Sequence, residues 1–182
     1  MFATIFSAKA ERKNAHAIYY SLVTRARQPA FYTDMGVADT IEGRFDLILL
    51  HLFMVDKRLE AEGQAYVRLR RYVQETMISD MDRSFRELGV GDMSVGKEMK
   101  KVGAAWLGRR SVYEMATKED AEPSVLLAAI EKNIFRGENS TGAAALVGYV
   151  RSTIAELASI SLDEPRNCEL FAEGESHEQT SI

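Results

Sequence analysis

An all-α, single-domain bundle of about six helices is the fold this sequence predicts, and three observations predict it. Six stretches carry apolar residues at helical spacing, no stretch alternates as a half-buried strand does, and the chain holds only three prolines. Its 182 residues, 46% hydrophobic and 27% charged, suffice for one domain with a sizeable core. No internal repeat or long linker divides it. The expected organisation is a helical domain over 1–160 and an acidic, disordered tail over 161–182.

The first helix is expected over 8–27, where Ala15, Ile18, Tyr19, Leu22, Val23 and Ala26 make one stripe. A loop follows over 28–38, because Pro29 and Gly36 break the periodicity. Asp39 is expected to open the second helix, its carboxylate accepting a free backbone N–H and Glu42 reaching back. That helix carries a seam of Ile41, Phe45, Ile48, Leu52, Val55 and Leu59, and a further apolar face of Leu47, Leu50 and Met54. A helix apolar on two sides is expected at the centre of its bundle. Gly63 should stop it.

The third stripe, within 64–88, is Tyr66, Leu69, Val73, Met77, Met81, Phe85 and Leu88, ended by Gly89. Val95, Met99, Val102, Trp106 and Tyr113 mark a fourth helix to about Thr117. Pro123 suits the first turn of a fifth, where a missing N–H has no helical partner anyway, and Gly137 follows its end. Leu146, Val150, Ile154 and Leu157 mark a sixth over 140–160.

The net charge of −4 is concentrated at one end. Residues 161–182 hold six acids against Arg166 alone, and the remainder has 21 acids and 22 bases. No global charge calls for nucleic acid. The single Cys168 excludes an internal disulfide and a four-cysteine zinc site, and a reducing compartment is the default expectation. The N-terminal apolar stretch is too short for a secretory signal, and LILLHLFMV (47–55) is far shorter than the ~20 residues that span a bilayer.

Residues 91–98, GDMSVGKE, imitate the phosphate-gripping pattern G-x-x-x-x-G-K-[ST]. Glu98 stands where a hydroxyl should hold magnesium, and a helix rather than a strand leads in. The expected explanation is a helix start: Gly89 ends one helix, Asp92 or Ser94 caps the next, and Gly96 permits close helix packing. Asp80 and Asp82 point about 200° apart on a helix, whereas Asp82 and Arg86 face one another as an ordinary pair. His16, His51 and His177 lie on separate elements without zinc-binding spacing, and His51 is expected to hydrogen-bond a neighbouring helix. No G-x-S-x-G elbow is present. No catalytic residue, cofactor or metal is expected. Bases cluster at Lys57/Arg58, Arg68/Arg70/Arg71, Lys97/Lys100/Lys101 and Arg109/Arg110, where solvated helix faces are the commoner reading and anionic lipid or ribosomal RNA the alternative. The aromatics of FYTDM need cover, from the bundle or from a partner.

Beyond these patterns, three stretches resemble the ubiquinol–cytochrome c chaperone family. They are HAIYYSLVTRARQPAFYTDMGVADTIEGRFDLILLHLFMV (16–55), ISDMDRSFRELGVGDMSVGKEMKKV (78–102) and WLGRRSVYEMA (106–116). The run R-x-P-x-F-Y, the helix start D-T-x-x-G-R-F-D and D-M-D-x-x-x-R-E-x-G-V-G-D are unusual in combination. The resemblance implies a non-catalytic assembly factor that holds newly made cytochrome b while ubiquinol–cytochrome c reductase (complex III) is put together. It further implies a ribosome or a small assembly protein as additional partner. Without an Arg-rich transit segment, the expected setting is a bacterial cytoplasm, peripheral to the inner membrane. Phe31, Tyr32, Arg44, Gly91, Asp92 and Lys97 are the expected partner-binding residues, because family-like letters concentrate at those turns. The alternative is a ribosome- or RNA-associated helical adaptor, which the basic clusters permit.

Overall fold

Residues 46–56 form an unbroken buried run in the computed structural model, which describes residues 8–137, 141–162 and 170–171. Eleven consecutive buried residues take three turns of helix, so this helix is covered on every side. Apolar letters on all faces have only one stable place, and that is the centre of the bundle. Its span is Ile41–Ala61, here α3, and α1 (Ala8–Ala26), α4 (Val67–Glu87), α5 (Asp92–Ala116) and α7 (Thr141–Ser159) pack around it. A sixth long helix, α6 (Pro123–Asn133), bridges α5 and α7. One-turn α2 (Ala30–Thr33) and a 3-10 turn (Gly63–Tyr66) complete the order, with no strand among the described residues.

The six expected helices are present within a few residues of their expected ends, and α2 lies inside the expected loop. Pro123 is in the first turn of α6, as its missing donor requires. Two local expectations fail, and in each the acid in question has an ionic partner instead. Thr40, not Asp39, caps α3, its hydroxyl accepting from the Gly43 N–H at 3.1 Å. Asp39 instead accepts from Arg44 Nε at 2.6 Å. Neither Asp92 nor Ser94 caps α5, since Gly91 is the N-cap and makes no side-chain bond. Asp92 pairs with Arg86 across the turn.

Helix order follows from the pairs that join α1 to α4. Glu11 meets Arg68, Arg12 meets Glu75 at 3.4 Å, and Tyr19 donates to Asp80 at 2.8 Å. The numbers rise together, so α1 and α4 are parallel. Their C-terminal ends therefore share one end of the bundle, which also carries the 27–40 connection and the 88–91 turn. Arg58 fastens α3 to the opposite strand of the chain, donating to the carbonyls of Leu157 at 2.7 Å and Ile160 at 2.8 Å at the end of α7.

The 34–38 stretch is clamped between helices by two close approaches. A Cβ on Gly43 would collide with the Ala38 carbonyl oxygen, and one on Gly142 with that of Met35. Gly96 is the opposite case: a Cβ there meets open space, so it does not serve close packing as expected. Of the acidic end expected to be disordered, 161–182, Leu170 is buried and Leu162 and Phe171 pack on the core, while 163–169 and 172–182 lie outside the described residues.

These glycines should separate cleanly in thermal melts. Gly142→Ala should cost about 1–3 kcal/mol through forced displacement of backbone. Gly96→Ala should raise stability by about 0.5–1 kcal/mol, since a solvated helical glycine gains only restriction of the unfolded chain.

Candidate functional site: a groove over buried charges

Two carboxylates end the buried run of α3, and each is gripped by arginines from other helices. Asp56, 2% exposed, accepts from Arg70 at 2.6 and 2.8 Å, from Gln74 at 2.7 Å and from Arg110 at 2.6 Å. Three donors on α4 and α5 therefore converge on one side chain of α3. These hydrogen bonds and positive charges outweigh burial and hold the Asp56 carboxyl below its usual range. Glu60, one turn on, takes the other sides of Arg70 at 2.8 Å and Arg110 at 3.0 Å.

Asp46 is the counterpart at the N-terminal side, accepting from Arg109 at 2.5 Å and Arg136 at 3.2 Å. Arg136 reaches it from a left-handed backbone position, φ 57°, after α6. Here burial dominates over the two cations and pushes the Asp46 carboxyl up to about 6.

His51 lies between these acids and faces the other way. Its Nδ1 is 2.8 Å from the Leu47 carbonyl and its Nε2 is 2.7 Å from the Tyr149 hydroxyl on α7. The expected bond to a neighbouring helix is thus present. Phe31, Tyr149 and Phe171 surround the ring at centroid distances of 5.3, 5.5 and 5.5 Å. Complete burial pushes this imidazole down to about 4, so it is neutral at physiological pH.

The residues expected to bind a partner divide into support and surface. Phe31 is 3% exposed and packs edge-on against His51 and Tyr149, so its cover comes from the bundle. Tyr32 is half-buried, its hydroxyl donating to the Ala26 carbonyl at 2.9 Å. Arg44, Gly91, Asp92 and Lys97 are exposed. Both groups belong to the same end of the bundle, but among the described residues no hydrogen bond or ion pair joins Tyr32 and Arg44 to residues 91–97. In GDMSVGKE, Glu98 pairs with Lys101 at 2.8 Å, and the preceding element is helical, so the segment is a helix start.

A groove between α4 and α5 was not legible in the sequence. One part, about 520 Å³, is lined by Arg71, Gln74, Glu75, Ile78, Ser79, Asp82 and Met99. A smaller part of about 270 Å³ continues past Arg71 and Gln74 to Val67, Arg70, Trp106, Leu107 and Arg110. Ile78, Met99, Trp106, Leu107 and Val67 give an apolar lining, with charges at the rim. Arg70, Gln74 and Arg110 belong to both the groove and the Asp56 cluster, so the buried carboxylate sets the spacing of its walls. The only advance signal was the pair of acids bracketing LILLHLFMV; which faces of two consecutive helices line a cleft has no short-range signature.

Removing the anchor should be far costlier than removing its exposed neighbour. Asp56→Ala should destabilise by about 2–4 kcal/mol, because Arg70, Gln74 and Arg110 lose their common buried acceptor. Glu60→Ala should cost less than about 1 kcal/mol. Denaturant melts measure both. The pH response is also specific. Asp46 has a folded value above the ordinary ~3.9, so its contribution falls as pH rises from about 4 to 6. His51 has a folded value below the ordinary ~6.5, so its contribution rises from about pH 4 to 6.5. The two oppose, leaving their joint contribution nearly flat over that window. Asp46→Asn should uncover the rise and His51→Gln the fall, in melts at pH 4 and pH 6.5.

Comparison with known proteins agrees with this architecture. A crystal structure of the Cbp3 homolog from Brucella abortus superimposes with a TM-score of 0.76 at 32% identity, covering 90% of this chain and 89% of that one. A Xenopus laevis protein named ubiquinol-cytochrome-c reductase complex assembly factor 1 is 22% identical over 145 residues, 79% of this chain and 72% of the relative. The family model described as ubiquinol-cytochrome C chaperone matches residues 33–169, a span that takes in the buried run of α3, both of its acids and the whole α4–α5 groove. This chain is a member of the ubiquinol–cytochrome c chaperone family.

Proposed function

We propose that the chain is a non-catalytic assembly chaperone for complex III and that newly made cytochrome b is its client. The carrying observation is the family match over 33–169, supported by a relative named for assembly of the same complex. The physical case is one of shielding. A membrane protein outside its bilayer exposes apolar surface disfavoured by about 25 cal/mol per Å². The α4–α5 groove offers an apolar lining that suits a client segment, as in helix-in-groove recognition. Its charged groups are engaged in structure: Arg71 pairs with Glu75 at 3.3 Å, and Arg70 and Arg110 hold Asp56. That supports a scaffold over a reactive centre.

The same pairing weighs against an RNA adaptor. Lys57, Arg58, Arg68, Arg70, Arg71, Lys101, Arg109 and Arg110 are paired with carboxylates or helix-end carbonyls, which occupies most of the basic clusters. Among the described residues no helix is long and apolar enough to cross a membrane. We place the protein on the cytoplasmic side of a bacterial inner membrane, bound peripherally, with a small assembly partner or the ribosome as further contacts. Tyr32, Arg44, Gly91 and Asp92 are proposed to serve those contacts and Lys97 the contact with the membrane, with Phe31 holding the 27–40 connection in place.

Ile78→Asp combined with Met99→Asp should lower the cytochrome b recovered with the tagged protein by about tenfold, the equivalent of 1.4 kcal/mol. Deletion of the gene should reduce membrane b-type haem and quinol oxidation through complex III. Normal levels of both in the deletion strain would rule out a required role in assembly, and undiminished recovery by the double variant would remove the groove from it.

A further inference from the structure

α5 carries large apolar residues on two opposite sides, and packing uses only one of them. Val95, Val102, Trp106 and Tyr113 face inward and are buried. At 3.6 residues per turn, the opposite arc takes Met93, Lys97, Lys100, Ala104, Leu107, Ser111 and Met115. Met93 is 100% exposed, Leu107 66% and Met115 55%. All seven positions are on the surface.

The arc is also one-signed. The acids of α5 fall outside it and are occupied, Asp92 by Arg86, Glu98 by Lys101 and Glu114 by Lys57. Lys97 and Lys100 make no ion pair or hydrogen bond among the described residues. Their charge is unspent within the fold.

The form of the arc selects its partner. The groove lies on the α4 flank of α5, so this arc is a ridge. Its apolar residues are set singly along about 33 Å of helix, with Lys97 and Lys100 between Met93 and Leu107. A protein partner wants a contiguous apolar patch, which this line does not offer. A flat anionic surface wants what is here: lysine stems lying along the interface with ammonium groups at the phosphates, and isolated apolar side chains entering the boundary layer.

We propose that the outer ridge of α5 docks the protein on an anionic bilayer, with Lys97 and Lys100 at lipid phosphates and Met93, Leu107 and Met115 inserted beside them. The ridge borders the groove through Leu107, so docking would bring the groove alongside the membrane. The assignment does not require cytochrome b to be the client, and its test contains no client.

The full chain is floated with vesicles of phosphatidylglycerol and phosphatidylcholine in equal parts, and with phosphatidylcholine alone. Binding is expected to the anionic vesicles only, and to weaken with salt. Lys97→Ala with Lys100→Ala should lower affinity about 30-fold, from about 1 kcal/mol per base. Met93→Ser with Leu107→Ser tests insertion independently of charge and should also release the protein. All four residues are exposed, so melting should be unchanged. Arg151→Ala, on the exposed part of α7, should bind as the parent does. No flotation, equal binding to neutral vesicles, unchanged binding by both double variants, or an equal loss in Arg151→Ala would each overturn the proposal.

Discussion

The carboxylate of Asp56 ties the three helices on which everything else is built. A charged group at 2% exposure is stable only if its hydrogen-bonding capacity is met. Here that demand draws Arg70 and Gln74 from α4 and Arg110 from α5 onto α3. Apolar packing could bring these helices together at several offsets. A carboxylate with three fixed donors accepts very few, so it sets register where hydrophobic contact sets only proximity. Asp46 repeats the device ten residues earlier with Arg109 and Arg136, at a higher cost in desolvation.

This arrangement explains how α4 and α5 can leave a cleft between them without closing it. Their arginines are directed down to α3, which props the helices at a separation fixed from below. The apolar lining above the props is then exposed by construction. Such a surface is a liability in an isolated protein and an asset in one that shields another chain. The proposed role and the groove are compatible in one physical picture, in which polar groups hold the frame and apolar groups are left free for a partner.

Most of the fold was legible because helical periodicity is local. The central place of α3 followed from its two apolar faces, and Gly89, Gly137 and Pro123 marked helix ends by their own backbone chemistry. What escaped was long-range or a competition. Asp39 reads as a cap until Arg44 takes its oxygen and Thr40 takes its place. Gly96 reads as a packing residue until α5 is seen to turn it outward, whereas Gly43 and Gly142 show no local sign of the carbonyls that press on them. The acids at 46 and 56 were visible as brackets around a greasy run, but their arginine partners lie 14 to 90 residues away. The groove was hidden too, because it lies between the faces of two helices and not along one stretch of chain. Phe31 stood out as an aromatic at a turn, and only the folded chain shows that His51 and Tyr149 cover it.

The parallel pairing of α1 with α4 has a bearing on how the molecule is made. Tyr19 and its partner Asp80 are separated by 61 residues of chain. At a synthesis rate of about 5–20 residues per second, α1 emerges roughly 3–12 s before the helix it rests on. During that interval the apolar stripe of the nascent segment has only α3 for company. A protein whose proposed work is to shelter an unfinished chain therefore passes through a stage of being one.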